Sequence, residues 1–186
     1  MANDMICLDV INTMWYDYRG TGRSEDRLTN PKWIEYFIKD WNLTHLSYPS
    51  AQIIHELQNL RQLMRDILQK TTQDQLPTAD ELIELNTFMD KAKRSPVLIK
   101  RDNHFELNLV ADQQNWDTFI SEIALSFSEL FTKAEYKRVK FCKNEDCRWV
   151  FHDNTKNGHK HWCSSETCGN LSRVRKHRDT LKEEKQ

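Results

Sequence analysis

Four cysteines constrain this chain more than any other feature. Cys142 and Cys147 form one C-x4-C pair, Cys163 and Cys168 form a second, and fifteen residues lie between the pairs. The opening stretch "MANDMICLDVINTMW" carries Asp4 and Asp9 and no basic cluster, so it does not read as a secretory signal. No apolar run approaches the roughly 18 residues that cross a bilayer. A cytoplasmic location is therefore expected, and there disulfides are disfavoured. Two close cysteine pairs then read as a tetrahedral metal site, and soft thiolates select one zinc ion. With four protein ligands such a site is closed to water, which makes the zinc structural. His152, His159 and His161 lie between the pairs and are alternative ligands, but the equal spacing of the pairs favours four cysteines. Cys7 stands alone in an apolar stretch and reads as a small core residue.

The residues around the cysteines suggest how they are held. "VKFC" and "RWVF" read as strands meeting at the turn "KNED", which would present Cys142 and Cys147 as a knuckle. "DNTKNG" is a second turn, and "HKHWC" reads as a short returning strand. Ser164 or Ser165 is placed to cap a helix whose first turn holds Cys163 and Cys168. The positive end of that helix would favour thiolates. A knuckle followed by a ligand-bearing helix is a treble-clef arrangement.

The stretch "CKNEDCRWVFHDNTKNGHKHWCSSETCGNLSRVRKHR" resembles the CGNR zinc finger. Phe151 and Asp153 match its Phe-x-Asp step, Asn157 its Asn, Trp162-Cys163 its Trp-Cys, and Cys168-Gly169-Asn170 the first three signature residues. Leu171 stands where the signature has Arg. The N-terminal "CLDVINT" is similar to the start of the ABATE domain, through Leu8, Asp9, Asn12 and Thr13. The resemblance implies a bacterial, stress-related transcription regulator whose finger binds DNA.

Charge is unevenly spread. Residues 1–136 hold 14 Lys and Arg against 21 Asp and Glu, whereas residues 137–178 hold 11 against 4. An acidic body thus carries a basic module, which suggests an anionic partner, DNA first. Attraction between the two parts of one molecule is the plainer alternative. Arg173, Arg175, Lys176 and Arg178 are the candidate nucleic-acid contacts, since each cation that meets a phosphate releases a counterion. Leu171, Val174 and Leu181 fall at helical spacing and predict an apolar packing seam on the same helix. One short helix binds weakly, so a homodimer with two half-sites is expected.

The body reads as helical. "MICLDVINTMWYDY" predicts a first helix with Asp9, Asn12, Thr13 and Tyr16 on one face. Asp9, Asn12 and Thr13 are candidates for binding a small-molecule effector, although a satisfied buried network is the simpler reading. "GTGRSED" reads as a loop. "NPKWIEYFIKDW" predicts a short helix, and "YPSAQIIHELQNLRQLMRDILQK" a long one with Ile53, Leu57, Leu60, Met64, Ile67 and Leu68 inward. Thr78 and Glu81 form a capping box for a further helix. "PVLIKRDNHFELNLVA" predicts a hairpin around Asp102-Asn103, and "NWDTFISEIALSFSELF" an amphipathic helix. The joint "TKAEYKRV" has no linker composition, so body and finger should dock.

No nucleophile elbow, phosphate-binding loop or HExxH motif occurs, and an enzyme is not expected. "FHDN", with His152 and Asp153, is too sparse for a second, catalytic metal. The expected architecture is mainly α. It comprises a helical N-terminal domain (1–136) with a small β-hairpin, plus a C-terminal treble-clef-like zinc finger of ββα form (137–186).

Overall fold

The computed structural model describes residues 5–183. The core starts at α1 (Ile6–Ile11), where Cys7, Leu8, Val10 and Ile11 are fully buried. Six residues are too few for a helix to persist alone in water. Its stability comes from packing against α3 (Ala51–Thr71) and α5 (Trp116–Thr132). Helix α3 buries Leu57, Leu60, Leu63, Met64, Ile67 and Leu68, with Ile53 half-buried at its start. Helix α5 buries Phe119, Ile120, Ile123, Phe127 and Leu130, while Phe131 is half-buried and stacks on Tyr136.

Local chemistry sets the helix ends. Asn30 caps α2 (Pro31–Asp40) through its side-chain oxygen, with Pro31 at the first helical position. Helix α4 (Ala79–Met89) begins with the reciprocal Thr78–Glu81 capping box. Strands β3 (Arg94–Arg101) and β4 (His104–Ala111) pair antiparallel across Asp102-Asn103, as the alternation predicts.

Three expectations for the body need correction. The first helix stops at Ile11, because Thr13 turns its hydroxyl back onto the Val10 carbonyl and Asn12 is drawn to a distant strand. Residues Met14–Tyr16 form β1, which pairs with β2 (Ser24–Asp26). The face expected to run from Asp9 to Tyr16 is therefore not helical, part of "GTGRSED" is strand, and the body has two strand pairs rather than one.

The chain then enters β5 (Val139–Phe141) and β6 (Val150–His152), an antiparallel pair joined by the Cys142–Cys147 turn. "HKHWC" is irregular rather than a strand, because no strand among the described residues pairs with it, and its backbone is tied instead by Lys143 N–H to the His161 carbonyl and by Lys160 N–H to Asp153. Helix α6 (Asn170–Glu183) closes the described chain, and about half of the chain is helical. No helix among the described residues is long and apolar enough to cross a membrane.

Body and finger dock, and the contact is built from backbone. The Asn12 side chain donates to the Val150 carbonyl and accepts from the Val150 N–H, both at 2.8 Å, so it acts as a one-residue strand beside β6. Val139 and Val150 belong to the same apolar core as α1, α3 and α5. Asn144 donates to the Tyr18 carbonyl at 2.7 Å. Gly20 has φ +81, which a residue with a side chain adopts reluctantly, and a Cβ there would lie 2.8 Å from a carboxylate oxygen of Asp146, so Asp146 would have to shift from its place beside Arg175.

Candidate metal centre and basic helix

The four cysteine sulfurs all lie within 4.8 Å of one another. Cys147 Sγ is 3.7 Å from Cys163 Sγ, and Cys163 Sγ is 3.8 Å from Cys168 Sγ. Four thiolates at about 2.3 Å from a tetrahedral zinc stand ~3.8 Å apart, whereas a disulfide requires about 2.05 Å. The spacing therefore fits a metal ion and excludes bonded pairs.

The electrostatics point the same way. Cys147 is pushed far above its ordinary range, first by its hydrogen bond to Cys142, and Cys163 is pushed up to about 12, first by its bond to Cys142. The same thiol donors, Cys147 first, hold Cys142 low. Without a cation, ionising Cys142 disfavours ionising Cys147 and Cys163 beside it. A dication lets all four ionise.

Three of the sulfurs are held by groups outside the cluster. Backbone N–H groups of Cys163 and Asn144 face Cys142, and that of Trp149 faces Cys147. The buried Asn144 amide lies 3.5 Å from Cys168 Sγ while bonding Tyr18, which ties one ligand to the body. Such outer hydrogen bonds orient ligands. Nothing in the sequence around Asn144 marks this role beyond its place inside the first pair. Cys168 lies on a π-helical turn, Ser165–Gly169, closed by Gly169 N–H to the Ser164 carbonyl at 3.0 Å and capped by the Ser164 hydroxyl. A Cβ on Gly169 would stand 3.2 Å from Trp162, so glycine lets the turn close against that ring.

Asp153 shapes the loop that leads to Cys163. It is fully buried, and one oxygen accepts from Thr155 N–H and Oγ1 while the other accepts from Lys160 N–H and Lys140 Nζ. Burial raises its pKa, but these donors outweigh it and hold the carboxyl well below the usual range. His152 turns away to Glu135 at 2.8 Å. Neither His159 nor His161 joins the sulfur cluster.

The candidate anion contacts divide. Arg173, Lys176 and Arg178 are exposed on α6. Arg175 also lies at the surface, yet its guanidinium folds back to Asp146 at 3.0 Å and to the Arg19 carbonyl at 3.2 Å. The predicted packing seam is only partly covered: Val174 and Leu181 are 40% and 42% exposed. Leu171 is half-buried beside Trp162 and Arg175.

The three effector candidates also divide. Asn12 and Thr13 are buried and their hydrogen-bonding groups are taken up inside the fold. Thr13 accepts from Arg61 at 2.9 Å, and Arg61 grips Asp26 with both terminal nitrogens at 2.6 and 2.7 Å. Asp9 accepts from the Trp41 indole at 3.2 Å.

These features define a helical body that carries a four-cysteine zinc finger, with room for one structural zinc. Comparison with family models agrees. A model described as ABATE, "Putative stress-induced transcription regulator", matches residues 4–134, and the CGNR zinc finger matches residues 138–180. The chain belongs to the ABATE family, with a CGNR zinc finger at its C-terminal end. A comparison with curated proteins finds none that matches.

Proposed function

We propose that the protein is a non-catalytic, DNA-binding transcription regulator whose zinc finger, in a treble-clef-like arrangement, presents α6 to the phosphate backbone. The observation that carries this reading is the position of the helix. An acidic body is available to neutralise it, yet Arg173, Lys176 and Arg178 stay exposed and make no ion pair with the described residues. Arg175 differs from them. It braces the base of α6 against the knuckle and the 17–23 loop, so the other three cations stand on a fixed platform. The family description, transcription regulator, supports the same reading.

The test is filter binding of the zinc-loaded chain to duplex DNA over a range of salt. Each phosphate contact contributes about 0.9 to the slope of log affinity against log salt. Replacing Arg173, Lys176 and Arg178 together by Ala should weaken binding and flatten that slope by roughly two to three units. Binding indifferent to these changes would favour a second reading, a ligand-binding or protein-interaction module in which the zinc finger is purely structural. Arg175→Ala separates the roles: it should shift thermal stability as well as affinity, because its partners are intramolecular.

A further inference from the structure

We infer that the seam between α3 and the finger binds a phosphorylated small molecule. A cavity of about 770 Å³ opens there, between the second half of α3 and the 140–161 region. That is within the usual size of small-ligand sites, roughly 300–1,000 Å³. Arg65, Lys140, Lys143, Arg148 and Lys160 line it, and no Asp or Glu does. Lys140 is already matched by Asp153 at 2.6 Å. The other four make no ion pair with any described residue.

The two arginines are fixed in place. Arg65 lies over the Phe141 ring at 5.2 Å and donates from Nη2 to the Arg148 carbonyl at 2.8 Å. Its other terminal nitrogen, Nη1, is buried without a hydrogen-bond partner. Arg148 stands over the Tyr16 ring at 4.7 Å, on a backbone held at φ +53, a conformation that non-glycine residues adopt reluctantly. The left-handed backbone of Arg148 belongs to the knuckle turn, closed by its N–H to the Asn144 carbonyl, but the unpartnered Nη1 of Arg65 is a polar group that packing leaves unsatisfied. Guanidinium groups match the paired oxygens of phosphate, and lysines add point charge. Four unmatched cations suit a ligand with at least two phosphate groups. A free molecule is favoured over the DNA backbone because the site is concave and α6's Arg173, Lys176 and Arg178 do not line it. A ligand here touches α3 and the finger together, so its binding would bias how firmly the finger is docked. That regulatory consequence rests on the DNA-binding reading; the binding itself does not.

Inorganic pyrophosphate is the probe, titrated calorimetrically into the zinc-loaded full chain at matched ionic strength, with zinc content checked before and after. Saturable one-to-one binding is expected. It should weaken at least tenfold in Lys143→Ala and in Arg65→Gln, and hold unchanged in the triple Ala variant of Arg173, Lys176 and Arg178. Lys143 is exposed, so its variant folds even where Arg65→Gln loosens the finger. Absence of saturable binding, or binding indifferent to Lys143→Ala, overturns the inference. So does a result in which pyrophosphate fails to bind while Lys143→Ala and Arg65→Gln weaken DNA binding. That outcome would make the cavity part of the DNA track and leave the proposed function standing.

Discussion

Asn12 shows what one side chain does when it substitutes for a strand. Its amide completes both backbone hydrogen bonds of Val150 in a buried setting, 138 residues away in sequence. Asn12→Ala leaves a buried N–H and a buried C=O without partners, at about 1–3 kcal/mol each. A loss of roughly 2–5 kcal/mol is expected, read as a lower urea midpoint. Asn12→Asp should be at least as damaging, since a carboxylate cannot donate to the Val150 carbonyl. Asp153 makes a comparable case within the finger. Asp153→Asn removes the charge facing Lys140 and should lower stability by about 2 kcal/mol, with faster zinc loss to a chelator. In sequence, Asn12 is one polar residue near the start of the chain, and its pattern alone gives no hint that its partner is a strand of the finger. Asp153 was legible because its place in the Phe-x-Asp step is a local motif, and its bonds to Thr155 and Lys160 are local too.

At the scale of elements, α6 and the β3–β4 hairpin contrast with the packed helices. The hairpin holds Leu98, Phe105, Leu107 and Leu109 on one face, 67–70% exposed. A two-stranded hairpin without packing is marginal in water. Its amides should therefore exchange with deuterium well before those of α3, which lies in the core. Leu107→Lys should change global stability by less than about 0.5 kcal/mol, because so little of the side chain is buried. A larger loss in thermal unfolding would mean that the hairpin leans on the body. Helix periodicity made α2 to α5 readable, since a 3.6-residue stripe reports burial directly. It failed at α1, where the polar face read from Asp9 to Tyr16 suggests a longer helix than forms, and tertiary hydrogen bonds decide where the helix stops. It also failed at the α6 seam, where apolar spacing is present but Val174 and Leu181 stay at the surface.

Across the whole molecule, metal and core are one system. Val139 and Val150 flank the knuckle and lie in the body's core. Stripping the metal should therefore lower the melting temperature of the body as well as the finger, in a single cooperative step. Elemental analysis should find one zinc per chain. Two separate transitions would show that the finger unfolds independently. Acid should act in the same direction. Burial raises the pKa of Asp26, but the hydrogen bonds and charge of Arg61 outweigh it and leave the carboxyl below its ordinary range. That contribution is complete above about pH 4 and is lost as pH falls through the folded value. Protons also compete with zinc for the thiolates. The melting temperature should decline in acid, and Asp26→Asn should remove part of that decline.

The sequence by itself determined the four sulfur ligands, the main helical elements and the basic character of the last helix. Those properties are written in short-range spacing and composition, and the matching chemistry needs few neighbours to be recognised. Only the tertiary structure decided that Asn12 joins the body to the finger, that Arg175 braces α6 while its neighbours stay free, and that four unmatched cations gather at the α3 seam. Each of these depends on side chains far apart in the chain meeting at a particular angle. Local pattern carries no record of such meetings.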